Sequence, residues 1–382
     1  MLLLLLQCFV SRLVFYTALL GRVTAAAQIA LFCVSAVAGG VMFYRWRRIG
    51  EEDRVRVWWL YGWFSALMAC GSCVGAVAWA ARMMRLATLY RGVASSNVAE
   101  MYSQFALTNS WLPAFLVLYA IEFLCMCAAK LMVLDRLFAC ATLHGTDIQS
   151  WWSQAGRVVM AVVVLGNIVG LAGNIASSVE YMKAAGAYSS ASAYCAANST
   201  DVSTIQEYLS LGLKEAQLGG SIASVQRFSE VTVLLLIVVA FVVVGVLSAR
   251  RVSARLLGVD AASPAAATGR ALRLQMLGIT AFIFVTFLLR SALSTMAAVS
   301  QELRDFDKLC PDSDKSIYCD TCRNMYTHIT GWMLFTPEFE STIVLISSPL
   351  ALLVALWGMT SKATLQLMKS SMQKSAISLR LL

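Results

Sequence analysis

VTVLLLIVVAFVVVGVLSA, residues 231–249, contains no charged side chain. As a helix rising 1.5 Å per residue it covers roughly 28 Å, close to the hydrocarbon thickness of a bilayer. The run does not alternate as a barrel strand would. Working outward from it, six further stretches of similar character appear. The seven expected spans are 24–44, 57–84, 111–138, 157–178, 229–249, 272–297 and 341–360. The composition agrees: 59% of 382 residues are hydrophobic and only 13% are charged. That leaves too little polar material to cover soluble domains. The expected fold is all-α: a polytopic membrane bundle of seven transmembrane helices, with the lipid bilayer as its surroundings.

Residues 1–22, MLLLLLQCFVSRLVFYTALLGR, have a signal-like apolar core followed by small residues at Thr24 to Ala27. No basic residue precedes that core and Arg12 interrupts it. The segment therefore reads as an extra N-terminal hydrophobic helix, either interfacial or extending the first span, with a cleaved signal as the alternative. The remaining organisation is a bundle over 23–360, with outer loops at 179–228 and 298–340, and an inner amphipathic tail over 361–382.

Loop charge sets the expected orientation. With the N-terminus outside, the inner side holds Arg45, Arg47, Arg48, Arg54 and Arg56, then Lys130, Arg136 and Arg157. Arg250, Arg251, Arg255, Arg270 and Arg273 follow the fifth span, and Lys362, Lys369, Lys374 and Arg380 lie in the tail. The positive-inside rule thus favours N-out and C-in. The net charge of +9 is accounted for by topology and implies no nucleic-acid partner. The basic loop 250–273 offers a docking place for an intracellular protein partner. Oligomeric state is not legible.

Two outer features fit this orientation. Asn198-Ser199-Thr200 is a glycosylation acceptor pattern. Cys195, Cys310, Cys319 and Cys322 all fall outside, where oxidising conditions favour disulfides, in any of three pairings. Cys319-x-x-Cys322 with His328 lacks a fourth metal ligand, and Asp312 to Ser316 lacks the glycine and glutamate of a calcium loop. No metal and no cofactor is expected. Thr204-Ile-Gln-Glu207 reads as a capping box, opening a short helix whose apolar stripe of Ile205, Tyr208, Leu209, Leu213 and Ala216 lies on the bundle mouth.

No Walker loop, dinucleotide fingerprint, HExxH or GxSxG pattern occurs, so no enzymatic activity is expected. Gly71-x-x-x-Gly75 and Gly166-x-x-x-Gly170 are small-residue seams in spans 2 and 4. Asn167 and Asn174 share a face of span 4 and form a polar core position. In span 3, YAIEFLCMCAAKLMVLDRLF (119–138), Lys130 can snorkel and Asp135 and Arg136 reach the inner interface. Glu122 lies near mid-bilayer and needs a partner. Arg290, at similar depth in span 6, is the candidate for an intramembrane charge pair with it. Arg250-Arg251-Val252-Ser253 has the spacing of a basophilic phosphorylation site at Ser253.

The seven spans, N-out orientation, basic loop between spans 5 and 6, and amphipathic tail resemble the G-protein-coupled receptors. Asp135-Arg136-Leu137 is similar to that family's Asp-Arg-Tyr motif, and by that resemblance Arg136 is an activation-lock residue. The chain departs from the family in having no cysteine at the outer start of span 3, no Cys-Trp-x-Pro in span 6 and no Asn-Pro-x-x-Tyr in span 7. The resemblance implies a receptor for an outer ligand. Two alternatives compete with it: a channel or transporter using Glu122, Arg290, Asn167 and Asn174, and a structural subunit of a membrane complex.

Overall fold

A computed structural model of the chain describes residues 2–48, 56–142, 148–197, 202–256 and 264–306, together with residue 329 and parts of 342–354. Six helices follow one another: α1 (Leu2–Arg48), α2 (Arg56–Ala94), α3 (Val98–Thr142), α4 (Ile148–Ala196), α5 (Val202–Leu256) and α6 (Pro264–Phe306). No strand occurs among the described residues. Each of the six contains a stretch long and apolar enough to cross a membrane. The chain is a multi-pass helical membrane protein. Of the expected seventh span, the described residues show helical turns at 342–344 and a π-helical turn, Ile346–Leu350. The rest of that span lies outside the described residues.

The helices are far longer than the expected spans. α5, with 55 residues, extends about 80 Å, more than twice a bilayer core. The loop expected over 179–228 is therefore corrected. α4 runs unbroken to Ala196 and α5 begins at Val202. No proline interrupts either arm, and the fall in hydropathy marks where the helices leave the apolar region without ending them. The stripe expected to lie on the bundle mouth packs against α4 instead, with the Tyr208 and Tyr194 rings 5.5 Å apart. Gly212 and Gly219 accept the rings of Tyr188 and Tyr181 at close range, and the Ser177 hydroxyl donates to the Gly219 carbonyl at 2.7 Å. Leu213, from the same stripe, stays exposed.

The α2–α3 hairpin is equally tight. The amides of Ala99 and Glu100 donate to Asn97 Oδ1 at 3.0 and 3.4 Å, which caps α3. Ser95 Oγ donates to the Glu100 carboxylate at 3.0 Å. Below the turn, Thr108 and Thr88 hydroxyls bond across the pair at 2.9 Å. The N-terminal segment 1–22 follows the second of its expected alternatives, an extension of the first span. From Leu2 it is the first half of α1 and forms no separate helix, because nothing between Leu2 and Arg48 breaks the backbone ladder.

Each helix packs on its neighbour in sequence, α3 also touches α5, and the π-helical turn touches both α1 and α6. That turn closes the ring, and Ile343, Val344 and Ser347 are buried there. The core brings together Phe32 of α1, Phe64 and Met68 of α2, Met126 of α3, Leu234, Ile237 and Phe241 of α5, and Phe287 of α6. Val37, Leu165, Ile168, Val239 and Val285 point outward, as lipid-facing side chains do.

The small-residue seams serve different interfaces. Gly166 faces Val233 and Gly170 faces Gln226 and Ser229, so both line the α4–α5 contact. Gly71 faces Cys125 of α3, whereas Gly75 faces the Phe32 ring of α1. Gly71 packs directly on Cys125, which brings the neighbouring Cys70 thiol of α2 near the Cys125 thiol of α3. Mild oxidation with copper–phenanthroline is expected to cross-link them. Mass spectrometry should recover the linked peptides from the parent chain and not from C70S or C125S.

Candidate functional site

Four charged residues are buried among the described residues: Glu122, Lys130, Glu230 and Arg290. Two cations and two anions balance in formal charge, and their mutual attraction offsets part of the desolvation cost of burying them. Arg290, 1% exposed, is the centre. Its Nε donates to Glu230 Oε1 at 2.9 Å, and its Nη2 donates to the Tyr119 hydroxyl. That hydroxyl in turn donates to Glu230 Oε1 at 3.0 Å, closing a triangle across α3, α5 and α6. Gln226, one turn before Glu230, donates to its other oxygen at 3.1 Å. The guanidinium carbon also lies 5.2 Å from the Phe123 ring centre and 5.5 Å from that of Tyr119. Such rings favour a cation on their faces.

Glu122 lies three residues beyond Tyr119 on α3, fully buried. Its charge acts on Arg290, Lys130 and Tyr119. The structure thus brings Glu122 and Arg290 into one electrostatic cluster, in which Glu230 is a hydrogen-bonded carboxylate of the arginine. Sequence reading missed Glu230 because it sits at the very edge of the uncharged run and reads as an interface residue. Its signal was the i, i+4 pair Gln226 and Glu230 on one helix face. Lys130 is corrected as well. It is 5% exposed and does not snorkel. Its ammonium lies 4.1 Å from the Phe287 ring centre, on the face of α3 turned toward α6.

The polar residues of α4 lie beside this cluster. Asn167 Nδ2 donates to its own helix at the Val163 carbonyl, 2.7 Å away, and its side chain meets the Cys127 thiol of α3. It lines a cavity of about 10 Å³ with Gln226, Ser229 and Glu230. Asn174 is fully buried, with neither amide atom hydrogen-bonded among the described residues. Ser178, one turn on, bonds the Asn174 carbonyl at 2.7 Å and the Pro113 carbonyl of α3 at 3.4 Å.

A larger cavity, about 330 Å³, opens on the triangle from the side of the α2–α3 and α4–α5 turns. Tyr119, Glu230 and Arg290 form one wall, and Trp79, Arg82 and Arg85 of α2 form another. Tyr181, Gln226, Arg227 and Ser294 add further polar groups to the lining. The volume falls within the range of small-molecule sites. Beyond the triangle, Ile237, Phe241 and Phe287 fill the bundle axis.

The other expected site residues are not gathered here. Asp135 and Arg136 belong to α3 and Ser253 to α5, but their side chains lie outside what the structure describes. Asn198, Cys310, Cys319 and Cys322 lie outside the described residues. Cys195, near the end of α4, is half-buried and a free thiol among the described cysteines. The described residues contain no cluster of three or more metal-ligating side chains. Comparison of the chain with protein-family models, curated proteins and solved structures finds no match.

Proposed function

We propose that this chain is a seven-helix, N-out, receptor-like membrane protein that takes a small ligand into the 330 Å³ cavity. The observation that carries the reading is the cavity's placement. It lies toward the two hairpin turns, which the loop charges put outside, and its floor is the hydrogen-bonded triangle joining α3, α5 and α6. A ligand touching that triangle changes the packing of three helices at once. It therefore biases one bundle arrangement over another, which is what signalling requires. α5 continues from Glu230 to the basic segment 250–273, which we assign to an intracellular protein partner. Asp135 and Arg136 are proposed to sit at that inner end.

Access tests the reading. Ser294→Cys places a thiol in the cavity. A membrane-impermeant thiol reagent added outside intact cells is expected to label it above the parent background. Asn198→Gln is expected to remove a glycan seen as an endoglycosidase-sensitive mobility shift. Labelling of Ser294→Cys from the inner side alone would overturn the reading.

A transport reading has its own support. Buried charge on α3 runs from Glu122 to Lys130, roughly 12 Å at helical rise. If that line carries protons or ions, vesicles holding the purified chain show a flux that Glu230→Gln abolishes. The receptor reading expects no such flux.

A further inference from the structure

The smaller cavity lies at the seam of α3, α4 and α5. Its polar lining is Asn167 of α4 with Gln226, Ser229 and Glu230 of α5. Gly166 and Gly170 of the α4 seam leave the room for it. Its volume, about 10 Å³, is close to the roughly 10–15 Å³ that one water needs. It shares Gln226 and Glu230 with the 330 Å³ cavity.

The polar groups there have unused bonding capacity. Asn167 is 7% exposed. Its Nδ2 donates to the Val163 carbonyl, which identifies the other end as the oxygen. That Oδ1 accepts no hydrogen bond among the described residues, and a buried acceptor left so is costly. Glu230 Oε1 accepts from Arg290 and Tyr119, and Oε2 accepts from Gln226. A carboxylate offers about four acceptor positions, so one remains. Gln226 spends one N–H on that bond and keeps its second. Ser229 is committed as a donor, to the Gly166 carbonyl at 2.7 Å, and can only accept.

We propose that this cavity binds one water molecule, which ties α4 to the ion-pair triangle. The water donates one hydrogen to Asn167 Oδ1 and the other to the Glu230 carboxylate, and it accepts from the second N–H of Gln226. About three bonds are usual for a buried water. Charge selects water over a cation. The buried Glu122, Lys130, Glu230 and Arg290 already sum to zero in formal charge, so a sodium ion would leave an uncompensated charge in the interior. Water adds none, and its immobilisation costs little. Because Gln226 and Glu230 line both cavities, a molecule that draws on either group in the larger one also disturbs the water and, through it, α4. That coupling rests on the receptor reading, and the water site does not.

The test is X-ray radiolysis of the full chain in phosphatidylcholine nanodiscs, prepared in heavy-oxygen water. Hydroxyl radicals formed from a bound water oxidise the side chains beside it, and mass spectrometry reads the heavy oxygen they gain. Phe123 and Val233 line the cavity and are 6% and 2% exposed. Both are expected to carry the label. Phe241 and Val244, equally buried but lining neither cavity, are expected to stay at background. Gly170→Ala is the blocking variant. Its Cβ would lie 3.8 Å from Gln226 Cγ and Ser229 Oγ, an ordinary contact that takes the water's room without a clash. The label should fall to background and the thermal midpoint should drop, because Asn167 and Glu230 lose their partner. Gly186→Ala is the control. A Cβ there meets nothing within 4 Å, so the midpoint should rise, as it does when alanine replaces glycine within a helix. Labelling of the parent chain needs no variant, so a misfolded Gly170→Ala does not spoil the test. Background labelling of Phe123 and Val233 in the parent would overturn the proposal. A midpoint raised by Gly170→Ala as much as by Gly186→Ala would overturn it too. So would a midpoint higher in sodium chloride than in N-methylglucamine chloride, with the difference lost in N167L, which would assign the cavity to a cation.

Discussion

Replacing Glu230 with glutamine is expected to destabilise the folded bundle by about 3–5 kcal/mol, the usual cost of removing one partner from a buried ion pair. Arg290 and Glu230 side chains are 1% and 3% exposed. Without the carboxylate, a guanidinium remains in the interior with its closest charge gone. The double variant E230Q/R290M removes both charges and should recover most of the loss, because a neutral, well-packed interior carries no desolvation debt. Glu122→Gln is expected to cost less than Glu230→Gln, since the two hydrogen bonds described above tie Arg290 to Glu230 and Tyr119. Denaturation midpoints in mild detergent, with yield of monodisperse protein, measure all three. If E122Q proves the more damaging, the dominant anion of the cluster is Glu122.

The second large effect concerns the α1–α2 contact. Gly39 lies so close to α2 that an added Cβ would meet the Ala69 backbone nitrogen at 3.0 Å and the Ser65 carbonyl at 3.1 Å. Backbone cannot rotate aside as a side chain can. Gly39→Leu should therefore push the helices apart and cost at least the 1–3 kcal/mol typical of overpacking. Its neighbour supplies the control. A Cβ on Gly40 meets nothing within 4 Å, so Gly40→Leu should not destabilise the protein and should gain about 0.5–1 kcal/mol from better helix preference. Equal effects at both positions would show that loss of glycine itself, and not helix contact, matters there.

Much of the architecture was legible from hydropathy alone. Six of the seven expected spans fall inside α1 to α6, because apolar runs of bilayer length have few alternatives to helix. Helix ends were not legible. At 179–228 the chain turns polar enough to read as a loop, yet it keeps helix-forming residues, and on α5 Tyr181 and Tyr188 find glycines opposite them while Tyr194 finds the Tyr208 ring. Whether such a segment lies down or continues upright depends on its partner helix, which periodicity within one segment does not name.

The site divides in the same way. The sequence by itself determined a multi-pass helical membrane protein, the depth of Glu122 and Arg290 along their helices, and the need to compensate both. Those follow from local composition and from a fixed rise per residue. Only the tertiary structure decided that Arg290 bonds to Glu230 and Tyr119, that Lys130 turns inward over Phe287, and that Arg82, Arg85, Arg227 and Arg290 line one cavity. Depth along a helix is a one-dimensional property of the chain. Which face meets which neighbour is set by rotation and packing, and charges at equal depth on six helices admit many pairings until that packing is fixed.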